Sequence, residues 1–287
     1  MGSEMCIRDR NTKVRGRKDL ENLSVPFIGE IPQYSGTKRK WEIGPRKHQE
    51  MKTIVVKEGS RNIINEAFRV LRSNLDFMAS KDSSQNVFVL TSFNPSSGKS
   101  FLTMNIAISF AIKKKKVLII DGDLRHGSTS SYINSPDKGL SDYLGNRVKN
   151  WREIIVPDKT YENLHILPIG TVPPNPTELL EDNKLATLIA TLKPEYDYIF
   201  IDCPPVDIVA DAQIIEKWAD RTIFVIRSGL LDRTMLSELE NMYTGKRFKN
   251  LSMILNGTES AGGRYSYRYG YHYAYASYYC LLYTSPS

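Results

Sequence analysis

From residue 86 onward the chain alternates short, continuously apolar runs with longer stretches of helical spacing, and this alternation most narrows the folds open to it. The runs are Val87–Thr91, Val117–Asp121, Leu164–Pro168, Tyr198–Asp202, Thr222–Ile226 and Leu251–Asn256. Most lack the in-out alternation of a half-exposed strand, so they are expected to be covered on both faces, as in a parallel sheet. Between them Ser100–Ile112, Thr177–Leu192, Asp211–Trp218 and Arg233–Met242 carry apolar residues at helical spacing. Strands alternating with helices build βα units, and their right-handed crossovers place ligands at the C-terminal ends of the strands. The expected fold is α/β, with a mostly parallel central sheet flanked by helices.

The first run passes into Ser92-Phe93-Asn94-Pro95-Ser96-Ser97-Gly98-Lys99-Ser100, followed by an apolar helix opening at Phe101. This is the Walker A ending G-K-[ST] in the strand–loop–helix setting it requires, which identifies a P-loop NTPase. In such a loop the backbone N–H groups from Asn94 to Phe101 cradle polyphosphate at a helix N-terminus. Lys99 supplies a cation to the terminal phosphates of ATP, and the Ser100 hydroxyl is a ligand for Mg²⁺. Phe93 occupies the position where the motif usually has its first glycine.

Two further strands end in acid: Ile119-Ile120-Asp121-Gly122-Asp123-Leu124-Arg125, and Phe200-Ile201-Asp202-Cys203-Pro204-Pro205. A lone Asp after a strand commonly caps the next helix. Asp121, Asp123 and Asp202 together, at one edge of a parallel sheet and beside G-K-S, point instead to Mg²⁺, which needs hard oxygen ligands directly or through its waters.

Outside this region the residues leave alternatives open. Ser60–Met78 has the pattern of an amphipathic helix, with Glu66, Arg69 and Arg72 on successive turns of one broad face. That face is either a contact surface or a set of local ion pairs. Leu23–Pro32 reads as a short extended element in a linker. Arg8, Arg10, Lys13, Arg15, Arg17 and Lys18 form one basic group, and Lys38, Arg39, Lys40, Arg46 and Lys47 another, within a formal net charge of +7. These groups suit an anionic membrane surface, a nucleic acid, or a solvated arm. No apolar run is long enough to cross a bilayer, and Cys6, Cys203 and Cys280 are too scattered for a disulfide framework or a zinc site. After Asn256 the pattern gives way to glycines and a tyrosine cluster. Of 16 tyrosines, half are Tyr265, Tyr267, Tyr269, Tyr271, Tyr273, Tyr275, Tyr278 and Tyr279. With Gly262, Gly263 and Gly270 among them, this tail is expected to be flexible enough to enter an active site, or else to stick to a partner as an added strand.

Taken together these motifs resemble the bacterial tyrosine kinases (BY-kinases) that regulate capsule and exopolysaccharide export. The resemblance runs from about Arg15 to Tyr279 and rests on the loop ending at Ser100, the Asp121-x-Asp123-x-Arg125 element, the strand ending at Asp202, the E-x-x-R-x-x-R helix and the tyrosine tail. It implies a fold like that of the partition and cell-division P-loop ATPases, although Asn94 stands where those relatives carry an extra lysine. It implies ATP- and Mg²⁺-dependent autophosphorylation of the tail in trans, with Asp121 assisting the acceptor tyrosine and Asp123 and Asp202 sharing the metal. Asn256 falls where the fold touches the adenine. Glu66, Arg69 and Arg72 would join subunits of a ring. Further implied partners are a polysaccharide co-polymerase membrane region in the same or another chain, a tyrosine phosphatase and the inner membrane surface on its cytoplasmic face, with no nucleic acid. The expected division is a basic juxtamembrane-like linker over 1–59, a kinase domain over 60–259 and a tail over 260–279, with 1–10 and 280–287 reading as foreign sequence. The competing functions are a partition-type ATPase switch and a non-catalytic nucleotide-binding regulator.

In water, full transfer of a tyrosine proton to an aspartate costs roughly 8 kcal/mol. Asp121 is thus a poor conventional base, and orienting the hydroxyl for a loose transition state is its expected duty.

Overall fold

The structure is a computed structural model that describes residues 12–34, 53–80, 84–206 and 210–259. The eight tail tyrosines, both expected foreign ends, the second basic group, Arg8 and Arg10 all lie outside the described residues.

The strands are β1 (Phe27–Pro32), β2 (Val87–Thr91), β3 (Val117–Asp121), β4 (Val156–Pro157), β5 (Leu164–Leu167), β6 (Tyr198–Asp202), β7 (Arg221–Arg227) and β8 (Ser252–Thr258). The α-helices are α1 (Ile63–Ser80), α2 (Lys99–Ala111), α3 (Leu140–Leu144), α4 (Pro176–Glu181), α5 (Asn183–Leu192), α6 (Asp211–Glu216) and α7 (Leu236–Thr244). The strands form one sheet in the order β1-β8-β7-β2-β6-β3-β5-β4. Every pairing is parallel except that of the two-residue β4 against β5.

The continuous apolar character of the strands has the expected cause. Alternate residues feed two separate cores: Val87, Val89, Leu118, Ile120, Ile199 and Ile201 on one face, and Phe88, Leu90, Val117, Ile119 and Phe200 on the other. Helix α2 is buried along almost its whole length, because it lies on the second face beneath α1. Its buried polar groups all find partners. Asn105, for example, accepts from Val55 N and Val56 N at 2.8 and 3.1 Å, pinning the segment that precedes α1.

Three elements differ from their expected form. The helix expected over Thr177–Leu192 is two helices, because the extended Asp182 accepts from Lys184 N at 2.7 Å and so starts α5 afresh. The helix expected from Arg233 begins as a 3₁₀ turn capped by Asp232, whose carboxylate takes Thr234 N at 3.1 Å. The short extended element near the N-terminus is β1, an edge strand in parallel register with β8.

The segment before β1 is tied down as well. Val14 N donates to Leu231 O and Gly229 N to Val14 O, at 2.9 and 2.7 Å. Lys13 pairs with Asp232 at 3.4 Å, and the Arg17 guanidinium lies 5.1 Å from the Phe27 ring centre. These basic residues therefore belong to the fold rather than to a solvated arm.

Phe200 sits at the middle of the aromatic core, with ring centres of Phe88, Phe110 and Tyr198 at 5.4, 5.7 and 6.3 Å. Truncating it leaves a cavity that rigid neighbouring strands cannot close. Phe200→Ala is expected to lower the unfolding free energy by about 3–5 kcal/mol in denaturant titration. A loss under about 1 kcal/mol would contradict this packing.

Candidate nucleotide and metal site

The sheet order puts three strand ends side by side. β2, which feeds the phosphate loop, pairs with β6 so that Leu90 lies opposite Asp202, and β6 pairs with β3 so that Asp121 lies opposite Asp202. Parallel strands carry these residues to the same edge, where crossover loops leave a crevice.

The loop is held by its own short side chains. Ser92 Oγ and Ser97 Oγ both donate to Asn94 O at 2.7 Å. Pro95 and Ser96 are exposed at its tip, and Ser96 adopts φ +60°. Gly98 caps α2 at φ +89°, and a Cβ there would lie 2.2 Å from Asn256 Nδ2, so only glycine fits. Lys99 is nearly buried and reaches back over the loop, its Nζ donating to Ser92 Oγ at 3.3 Å. The Phe93 ring is turned away from the crevice and packs edge-on against Phe224 at 4.6 Å, which is why this position does without glycine. Phe101 likewise faces the core, against Phe68, and only its backbone is available to a phosphate.

Asp121 and Asp202 are 0% and 1% exposed. Asp121 Oδ2 accepts from both Ser130 N and Ser130 Oγ, at 2.6 and 2.7 Å, and Asp202 Oδ2 accepts from Thr129 Oγ1 at 2.6 Å. The nearby Ser100 hydroxyl also favours the charged form of the Asp202 carboxylate. The other oxygen of each carboxylate, Oδ1, is buried and has no hydrogen-bond partner. Two orphaned carboxylate oxygens on neighbouring strands are what a hard cation would satisfy. The donor set of Asp121, Asp202 and Ser100 therefore fits Mg²⁺.

Asp123 stands apart from this pair. It accepts from Arg125 N and His126 N, each at 3.3 Å, and its carboxylate faces His126 Nδ1 at 3.2 Å. Among the described residues no three of His, Cys, Asp and Glu come close enough to hold one ion. The three-aspartate metal set expected from the sequence is thus a fully buried pair plus a third, largely buried carboxylate engaged by the turn after β3, and a bound Mg²⁺ would complete its shell with phosphate oxygens and water.

Burial pushes the Asp121 carboxyl up to about 8, reinforced by the neighbouring Asp202 charge and offset by the Ser130 bonds. Asp202 is raised too, chiefly by burial, with Lys99 and the Ser100 and Thr129 hydroxyls working against the rise. The adjoining Cys203 thiol, buried behind them, is pushed well up and is unreactive.

The other expected site residues divide. Asn256 is buried, and its Nδ2 donates to Ser97 O at 2.9 Å, so the side chain braces the loop from beneath instead of lying open to a base. Arg125 turns outward, its Nε 3.1 Å from the buried Asp211 carboxylate and its Nη2 3.0 Å from Thr177 Oγ1. Glu66, Arg69 and Arg72 lie on α1, remote from the loop in sequence: Arg69 pairs with Glu66, and Arg72 donates to Ser109 O at 2.9 Å. Thr129 and Ser130, which hold the two carboxylates, went unrecognised in the sequence. Their only signal is the polar run Gly127-Ser128-Thr129-Ser130-Ser131 following the acidic element.

A carboxyl raised by burial makes the fold favour its neutral form. In nucleotide-free protein its contribution is complete at pH values below the ordinary carboxylate range and is lost as pH rises toward about 8. The unfolding free energy is therefore expected to fall between about pH 5 and 8, at up to about 1.4 kcal/mol per pH unit for one proton, and the melting temperature with it. Asp121→Asn should flatten this dependence in a thermal scan across pH, and an unchanged slope would contradict the buried pair.

Comparison with known proteins agrees with this geometry. The AAA domain family profile matches residues 85–243. Tyrosine-protein kinase YwqD of Bacillus subtilis is 32% identical over 218 residues, covering 75% of this chain and 91% of the relative. Tyrosine-protein kinase Wzc of Salmonella typhimurium is 32% identical over 222 residues, covering 76% of this chain. The chain spans only about a third of the Klebsiella pneumoniae and Salmonella relatives, at 33% and 30% of their lengths. Among solved structures, the kinase domain of Escherichia coli tyrosine kinase ETK superposes with a TM-score of 0.74 at 26% identity, over 87% of this chain and 97% of that one. The septum site-determining protein MinD of Pyrococcus horikoshii, complexed with Mg-ADP, gives 0.50 at 26% identity over 60% and 70%.

Proposed function

The chain belongs to the bacterial tyrosine kinase family, and on that premise we propose that it is an ATP- and Mg²⁺-dependent tyrosine autokinase acting on the C-terminal cluster Tyr265–Tyr279 of neighbouring copies. The observation that carries the reading is the buried pair Asp121 and Asp202, each with an unpartnered oxygen, beside the Lys99 loop. When bound, Mg²⁺ would neutralise charge on the phosphates of the nucleotide and the developing charge in transfer. Asp202 and Ser100 would hold it directly or through water, and Asp121 would share it.

Lys99 reaches back over the loop to Ser92 and would move its cation from there to the terminal phosphates. The backbone amides at the start of α2 would fix them in line. Asp121 would accept a hydrogen bond from an incoming tyrosine hydroxyl. A raised carboxyl narrows the gap to the phenol's ordinary value of about 10, yet a cation in the site favours the ionised carboxylate again. Orientation of the hydroxyl thus remains the main duty of Asp121, and a loose transition state asks for little early proton transfer. Asp123, Arg125 and the Asp211–Thr177 pair would hold the rim of the crevice in place.

The family premise extends the reading to the rest of the system. The kinase would regulate polysaccharide synthesis and export, next to a co-polymerase membrane region in the same or a partner chain, at the cytoplasmic face of the inner membrane. Glu66, Arg69 and Arg72 would face a neighbouring subunit. Each phosphotyrosine adds about −1.5 to −2 charges, enough over eight sites to overwhelm the formal +7 of the chain. Phosphorylation would then separate the assembled copies.

The likeness to MinD supports a second reading, a nucleotide switch that hydrolyses ATP and makes no phosphotyrosine. Incubation with ATP and Mg²⁺ followed by mass spectrometry separates the two. Wild type is expected to gain phosphate on Tyr265–Tyr279, and Lys99→Met to lose at least about a hundredfold of that rate. Wild type that hydrolyses ATP while its tyrosines stay unmodified refutes the kinase reading. Light scattering before and after the reaction should record a fall in oligomer mass, and an unchanged mass counts against charge-driven release.

A further inference from the structure

A second concave surface lies where the segment before α1, α1 itself and the C-terminal end of α2 meet. It encloses about 220 Å³. Its apolar lining is the half-buried Ile112 over the fully buried Phe68, while Lys57, Arg69, Arg72 and Lys113 surround it with cations, and Glu58 is the one carboxylate among the described lining residues.

The cations are poorly compensated. Arg69 is neutralised by Glu66. Arg72 has one acceptor, the Ser109 carbonyl at the end of α2, and among the described residues it forms no ion pair. The carboxylate whose field reaches it, Asp76, is occupied by the Tyr198 hydroxyl. Partial burial and the adjacent Arg69 both hold Arg72 below the ordinary guanidinium range. Lys57 and Lys113 also have no acidic partner within ion-pair distance among the described residues. The Ser109 bond fixes the plane of the Arg72 fork, and its remaining N–H groups have no acceptor among the described residues, so they can turn to an entering anion. Cations gathered in a partly desolvated hollow gain most from an anion that enters it, and a guanidinium fork suits phosphate oxygens.

Size and lining narrow the class of anion. The volume falls short of the roughly 300 Å³ at which pockets for drug-sized ligands begin, so a nucleotide is excluded. One ring and one phosphate group can enter, with the ring against the half-buried Ile112 and the phosphate against the cations. We infer that the cavity between α1 and α2 binds an aryl phosphate, and that its occupant is a phosphotyrosine side chain. The identity of that occupant rests on the kinase reading. The site itself rests on the cavity.

Isothermal titration of the full chain with phenyl phosphate, and separately with inorganic phosphate, tests the inference. Saturable binding of phenyl phosphate is expected, tighter than that of inorganic phosphate because only the ester covers the apolar lining. Arg72→Gln should weaken it about tenfold or more, the worth of one charge-assisted hydrogen bond. Lys113→Gln, at an exposed position where folding is not at stake, should weaken it in the same direction. Lys99→Met should bind as wild type does. The inference is overturned if wild type gives no saturable binding, if inorganic phosphate binds as tightly as the ester, or if Lys99→Met abolishes binding while Arg72→Gln retains it. The titration requires no phosphoryl transfer, so a chain that binds phenyl phosphate but makes no phosphotyrosine refutes the kinase reading alone.

Discussion

Asp121 and Asp202 face each other across two parallel strands, almost wholly removed from water, with one oxygen apiece left unpartnered. Two carboxylates cannot both ionise in such a place without a compensating cation. The fold resolves this in one of two ways, by keeping a proton or by accepting a metal. Lys99 and the Ser100, Thr129 and Ser130 hydroxyls reduce the cost without removing it. Everything else at the rim is arranged around that unresolved charge, including the sheet order that makes β2, β6 and β3 neighbours.

Rigidity at the rim comes from contacts across elements far apart in sequence. Asn256 on β8 supports the loop backbone at Ser97, and Arg125 joins the loop after β3 to α4 and α6 through Thr177 and Asp211. Asp211 is fully buried and holds both partners. The N-terminal segment adds a clasp on the turn after β7 through Val14, next to the strand that pairs with β8. A phosphate cradle works by presenting preset dipoles, and these braces hold the backbone that presents them.

The parts of this architecture that depend on local chemistry were legible in the sequence. Continuous apolar runs predict doubly covered strands, and G-K-S between a strand and a helix predicts the loop, because each requirement is met within a few residues. What depends on distant partners was not legible. Nothing in the spacing of Thr129 and Ser130 announces that they will take oxygens from two different strands. Asn256 is expected at the base, but its Nδ2 is bonded to a backbone carbonyl 159 positions away, a contact no local pattern announces. Asp182 hid a helix break because a single capping residue can interrupt an otherwise continuous helical pattern. Asp123 fits the acidic motif in spacing, but the turn after β3 gives its carboxylate to the amides of Arg125 and His126. The edge strand β1 looked like linker because its pairing partner lies at the other end of the sheet's sequence.

The central claim is that the unpartnered oxygens of Asp121 and Asp202 are the protein's side of a metal–nucleotide site. Anomalous diffraction from crystals grown with Mn²⁺ and a non-hydrolysable ATP analogue addresses it directly. The account predicts one Mn²⁺ peak at the rim between Ser100 and the two carboxylates, bound to them directly or through one water. A fully occupied nucleotide with the ion held elsewhere, and with Asp121 and Asp202 still facing each other without it, would contradict the account.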